Sequence, residues 1–337
     1  MTTLSEIERV PGLTVLVPVY NSEGSIAALC ERLAIVLPGL ANEFEVILVD
    51  DGSRDASWPA VAELAASHHW IRAIRLMRNY GQHNALLCGL RAARHGITVT
   101  LDDDLQHPPE EIVHLLRGLA KGNDVVYGVP HERTHVLWRN LASKYTRVVL
   151  SRAMGIDVRQ VNAFRAFRTD LRRAFVGYQS PALLLDVLLS WGTTKFEAIA
   201  VRHEPRRIGT SNYTLARLFN QAMFLLTGFS TAPLRLASFI GFAFTLFGAG
   251  VMTYAIVQYF VHGSVPGFTF LASIISIFSG ATLFSLGIIG EYIARIFQRS
   301  MERPTYVVDL ITESRDSLLE LGPRSVAERA DLVAPSR

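Results

Sequence analysis

Between Arg235 and Glu291 the chain contains no Lys, Arg, Asp or Glu. No other feature of its 337 residues restricts the possible folds as far. Two apolar runs fill this window, at residues 236–261 and 268–290, with HGSVPG between them. A helix needs roughly 20 residues to cross the hydrocarbon core of a bilayer, and each run is long enough. Two buried core helices are the alternative, but run length and the uncharged Gly/Pro turn argue against them. Residues 234–294 therefore read as a transmembrane hairpin.

The flanks orient it. Arg217 and Arg235 precede the first run, Arg295, Arg299 and Arg303 follow the second, and the connecting loop has no Lys or Arg. The positive-inside rule then puts both ends in the cytoplasm. The expectation is a multi-pass protein of the cytoplasmic membrane, with residues 1–210 as a cytoplasmic domain and 295–337 as a cytoplasmic tail. Residues 211–233 have apolar positions at near-helical spacing around Arg217, as in a helix lying at the membrane surface. The opening MTTLSEIERV is polar and acidic, so no signal peptide is expected. A net charge of +3 gives no reason to invoke nucleic acid. Cys30 and Cys88, among apolar neighbours, read as reduced core residues.

The first 130 residues alternate as a mostly parallel α/β sheet with crossover helices does. LTVLVPVY, FEVILVD, IRAIRLM, GITVTLD and DVVYG read as strands, with helical segments between them. In such sheets ligands bind beyond the carboxyl ends of the strands. Tyr20-Asn21, Asp50-Asp51, Arg78-Asn79 and Asp102–Gln106 all collect there. From about Val136 to Phe175 the chain is basic and reads as mostly helical, and TKFEAIAV is a further strand leading into the polar RRIGTSNY loop. The tail beyond about Thr312 is charged and reads as loosely ordered.

Three consecutive aspartates, Asp102, Asp103 and Asp104, stand where the fourth strand ends. Like charges so close are costly unless a cation lies among them. On an extended segment, residues two apart share a face, which would aim Asp102, Asp104 and Gln106 at one site and Asp103 elsewhere. Two carboxylates suit a hard divalent cation that completes its shell with water and substrate phosphate. Such a cation would stabilise charge on a departing diphosphate. Asp50 and Asp51, before Gly52, stand where a turn could present an acceptor to a nucleobase or ribose hydroxyl. Arg206 and Arg207, with Gly209 and Ser211, could hold phosphate oxygens or face anionic headgroups, and the two roles are compatible.

TVLVPVYN, VILVDDGSRD, MRNYGQHNALLCGL, LDDDLQHPPEEI, RRIGTSNY and GFSTAPLR occur in that order before the hairpin. Together they resemble the polyisoprenyl-phosphate glycosyltransferases of the inverting glycosyltransferase family 2, over about Leu13 to Pro304. The resemblance implies a GT-A catalytic domain that moves a sugar from a nucleotide-diphosphate sugar, UDP- or GDP-linked, to a polyprenyl phosphate, with Mg2+ or Mn2+. Pro18, Tyr20 and Asp50 match the family's nucleotide-contacting segment, and Asp102, Asp104 and Gln106 its metal motif. Arg139 and Ser143 match ligands of the lipid phosphate, and Arg206, Arg207 and Ser211 a loop closing over the donor diphosphate. Family precedent makes a tetramer the expected oligomer.

Two departures stand out. Ala163, after Asn162, replaces an aspartate often assigned a catalytic part, and Arg133 is the candidate for a basic residue that relatives carry after the fifth strand. A phosphate monoester has a second pKa of about 6, so the acceptor is already an oxyanion and needs a protein base less than a hydroxyl would. Two rival readings remain. A processive polysaccharide synthase would show a Gln-x-x-Arg-Trp motif, absent here, and more than two spans. A catalytically inert scaffold binding donor or lipid is favoured only by Ala163.

Overall fold

The computed structural model describes residues 9–130, 161–180, 183–204, 232–263 and 267–313. The chain forms two compact units, one built on a sheet and one on two long helices. The sheet orders its eight strands β7-β5-β6-β4-β1-β2-β3-β8. These are β1 (Val10–Val19), β2 (Ala41–Asp50), β3 (Ile71–Leu76), β4 (Ile97–Thr100), β5 (Val125–Pro130), β6 (Arg165–Arg168), β7 (Phe196–Val201) and β8 (Val308–Thr312). Helices α1 (Ile26–Leu40), α2 (Ser57–Ser67), α3 (Gln82–Ala92), α4 (Ile112–Ala120) and α5 (Leu185–Gly192) belong to the same unit.

Continuous apolar strands are buried on both faces, as parallel strands under crossover helices must be. Leu13, Val15 and Val17 face the core shared with α1 and α4, while Leu16, Ile47 and Val49 face the one shared with α3 and α5. Cys30 and Cys88 are buried, free thiols. At Gly89 of α3, a Cβ would lie 2.1 Å from Leu16 Cδ1 and 3.1 Å from Val49 Cγ2, so this helix sits directly on β1 and β2. The pairings β1–β2, β1–β4, β2–β3 and β5–β7 are parallel. Chain order reverses at β1, which lies between β2 and β4. That reversal is the switch point where open α/β sheets bind ligands.

Two strands depart from the sequence expectation. β6 lies within the segment read as mostly helical and pairs antiparallel with both β4 and β5. It is only four residues long, RAFR, too short for its alternation to stand out. β8 lies in the segment read as a tail and pairs antiparallel with β3. Its residues are stabilised by a partner more than 200 positions away, which no local pattern reveals.

The second unit contains α6 (Ala232–His262) and α7 (Phe268–Ser300). Pro233–Val261 and Ile277–Ser300 are long and apolar enough to cross a membrane. Phe278 packs against Phe244 and Phe247, at ring separations of 5.7 and 6.3 Å. Many other apolar side chains, such as Phe260 and Leu283, are exposed, as lipid-facing residues would be. α7 runs past the expected end of the second span to Ser300, with Arg295 donating to Glu291 at 2.9 Å one turn away.

Candidate active site

β4 ends at Thr100, and the chain turns through Asp103 and Asp104, with Leu105 at a φ of +61°. The turn puts all three aspartates on one cavity of about 240 Å³, which Pro18, Val19, Tyr20, Asp51, Asn79, Gly81 and Gln82 also line. This corrects the alternation argument: the segment is not extended, and Asp103 faces the same cavity as its neighbours. Asp103 accepts hydrogen bonds from the Ser22 hydroxyl and, at 3.3 Å, from the Tyr20 backbone N–H. Its carboxylate thus ties the acidic turn to the end of β1.

Asp102 accepts a bond from Gln82 Nε2 at 2.6 Å. Burial pushes its pKa up to about 6, and repulsion from Asp104 and then Asp103 adds to the shift. Asp104 accepts from the Gln106 backbone N–H at 3.1 Å. Among the described residues no three His, Cys, Asp or Glu side chains form a closed metal cluster. An open pair of mutually repelling carboxylates fits a cation that keeps water and substrate oxygens in its shell. Gln106 does not line the cavity; its carbonyl accepts the Glu204 N–H at 2.9 Å, joining the acidic turn to the chain after β7.

Asp50 and Asp51 divide their work differently from the sequence expectation. Asp51 accepts from the backbone N–H groups of Tyr80 and Gly81 at 2.7 and 2.8 Å. Its carboxylate therefore shapes the wall of the cavity, and burial raises its pKa to about 6 against those two bonds. Asp50 is fully buried, does not line the cavity, and has one oxygen, Oδ1, with no hydrogen-bond partner among the described residues. Gly52 is required by crowding as well as by its φ of +68°: a Cβ there would lie 2.5 Å from the backbone carbon of Arg78. The DDG turn and the loop at 78–81 are thus packed as one piece.

Asn21 and Arg78 do not line the cavity. Asn21 Oδ1 caps the Arg54 N–H at 2.9 Å, and Arg78 lies over the Tyr80 ring at 4.5 Å. Arg133, Arg139, Ser143, Arg206, Arg207 and Ser211 lie outside the described residues. Asn79 lines the cavity as its place at a strand end predicts, and Gly81 and Gln82 join it as wall residues that the sequence did not single out. Their only signal was position, in the loop joining β3 to α3 at the same sheet edge.

Residues 14–175 match the family described as Glycosyl transferase family 2. An undecaprenyl-phosphate 4-deoxy-4-formamido-L-arabinose transferase of Pseudomonas aeruginosa strain LESB58 is 33% identical over 331 residues, covering 96% of each chain. The chain belongs to glycosyltransferase family 2. A transferase of the same description from Yersinia enterocolitica is 34% identical over 315 residues, covering 91% of this family 2 enzyme and 96% of the relative. Among solved structures, glucosyl-3-phosphoglycerate synthase of Mycobacterium tuberculosis, in complex with Mn2+, UDP-glucose and phosphoglyceric acid, is 18% identical with a TM-score of 0.47. That match covers 64% of this glycosyltransferase and 79% of the synthase.

Proposed function

We propose that this enzyme transfers a sugar from a nucleotide-diphosphate sugar to a polyprenyl phosphate at the cytoplasmic face of a membrane, with inversion at the anomeric carbon. One observation carries the reading: Asp102, Asp103 and Asp104 share a single cavity with the ends of β1 and β2 at the switch point of the sheet. Asp102 and Asp104 are the residues to hold Mg2+ or Mn2+, which when bound would neutralise charge on the departing diphosphate. Pro18, Tyr20 and the wall at Asn79–Gly81 receive the nucleotide, and Asp51 keeps that wall in place. Asp50, which is fully buried and does not line the cavity, is assigned to the nucleotide on the family resemblance alone.

Arg206, Arg207 and Ser211 are assigned to the donor diphosphate, and Arg139 and Ser143, with Arg133, to the lipid phosphate, on the family resemblance. An oxygen of that phosphate attacks the anomeric carbon as the bond to the diphosphate breaks. The attacking oxygen is already anionic near neutral pH. Ala163 is thus compatible with turnover, because orientation and charge neutralisation carry the rate. The membrane assignment is supported by two apolar helices inserted between β7 and β8 of one sheet, so the chain leaves the catalytic unit and returns to it. Two crossings return a chain to the side from which it set out.

A donor screen tests the proposal. Full-length protein in detergent would be incubated with undecaprenyl phosphate, Mg2+ or Mn2+, and UDP-, GDP- and dTDP-sugars, including a 4-deoxy-4-formamido-L-arabinose donor. Mass spectrometry of the lipid fraction reads the result. A lipid heavier by one sugar, lost with EDTA, is the expected product. Nucleotide binding with no product from any donor would instead favour the inert scaffold.

A further inference from the structure

Arg165 is 1% exposed and lies beside the last residue of β4, where the chain leads into the acidic turn. It stands in register with Thr100 on one neighbouring strand and with Tyr127 on the other. Its Nε donates to Thr100 Oγ1 at 3.1 Å, and its Nη1 pairs with Asp186 of α5. Tyr127 OH donates to the same Asp186 oxygen at 2.9 Å, and Thr100 Oγ1 donates to the Ala163 carbonyl at 2.6 Å. One guanidinium thus bonds β6 to the last residue of β4 and to a helix across the sheet. Asp102 leaves that strand end two residues later.

A buried charge of this kind is a poor way to gain stability, because desolvation offsets most of the attraction. Its location suggests another use. Resting on the assignment of Asp102 and Asp104 to the metal, we propose that Arg165 is a positioning residue, which holds the end of β4 so that those carboxylates meet one cation. Thr100 transmits the constraint, and Asp186 and Tyr127 keep the guanidinium in its orientation. Partners behind metal ligands typically set affinity by about 10–100-fold.

The test measures Mn2+ binding to full-length protein in detergent by electron paramagnetic resonance of free Mn2+, with thermal melting of each variant. Arg165→Met combined with Asp186→Leu and Tyr127→Phe removes the buried polar set as a unit, an exchange that is often neutral for stability. The expected result is wild-type melting with Mn2+ affinity weakened about tenfold or more. Unchanged affinity in a folded variant would overturn the proposal. So would tighter binding, the outcome if Arg165 acted only as a nearby repelling cation. If the combined variant does not fold, Arg165→Lys decides: it keeps the charge but cannot bridge Thr100 and Asp186 together, and wild-type affinity in it overturns the proposal. Absence of Mn2+ binding in the wild type would overturn the metal assignment itself, and this inference with it.

Discussion

Glu313 Oε1 accepts a hydrogen bond from Arg72 Nε at 2.6 Å, across 241 positions of the chain. Arg72 also donates to Glu45 at 3.1 Å and to the Ala92 carbonyl at 2.9 Å, and Arg94 reaches both Glu313 oxygens at 3.2 Å. This largely buried cluster fastens the end of β8 to the sheet. The same strap continues at its other end, where the Met77 N–H bonds the Val307 carbonyl and Arg91 bonds the buried Tyr306 hydroxyl. Met77 leads straight into the loop that walls the cavity.

Glu313→Ala removes one partner from a mostly buried pair and is expected to cost about 2 to 4 kcal/mol. Asp170→Ala, which breaks only the exposed Arg173–Asp170 pair, should cost under about 0.5 kcal/mol. Burial alone would raise the Glu313 pKa, but Arg72 and Arg94 outweigh it and hold the carboxyl below its usual range. Its contribution is therefore present at neutral pH and is lost as acid protonates it. Chemical denaturation of both variants at pH 7 and pH 4 checks the ranking and the sign.

His83 should make the fold sensitive to mild acid. Burial drives its pKa down to about 4; Asp186 opposes that shift and Arg165 adds to it. An unfolded histidine, near 6.5, binds a proton well before the folded one does. Stability is therefore complete above about pH 6.5 and falls as pH drops toward 4, by up to about 3 kcal/mol. His83→Gln should flatten this part of the profile, measured as unfolding free energy at pH 7.5 and pH 5. An unchanged slope would count against a buried, neutral His83.

Asp51→Asn should weaken donor binding more than it slows chemistry. The carboxylate accepts two backbone N–H bonds from the cavity wall, and hydrogen bonds to a charged acceptor contribute about 1.5–3 kcal/mol each. An amide keeps one acceptor oxygen and turns the other side into a donor facing an N–H. The expected result is a donor KM raised by roughly tenfold with a smaller change in kcat. A fall in kcat at unchanged KM would place Asp51 in the reaction instead.

Asp104→Ala is the substitution on which the metal assignment depends. Turnover should fall by at least about 100-fold, in proportion to the charge stabilisation a missing ligand removes. The variant should also need more Mn2+ for half-maximal rate. Wild-type turnover would end the assignment of this carboxylate.

The apolar runs, the strand–helix alternation and the placing of DDG and DDD at strand ends were legible because each is local. Periodicity, length and charge are written in consecutive residues, and physical constraints on strands and membrane helices act over that range. The sequence therefore determined the α/β class, the two long apolar helices and the polar strand ends that meet at one cavity. Tertiary structure decided the rest. β8 exists only because β3 is there to pair with it, and RAFR becomes β6 only between β4 and β5. The turn at Asp103 and Asp104 undid the alternation that an extended chain would have imposed. Asp51 proved to be a wall brace because the loop at Tyr80 and Gly81 folds back onto it. Arg165 gained its partners from three separate elements, Thr100, Asp186 and Tyr127 in its surroundings, which only folding brings within hydrogen-bond range.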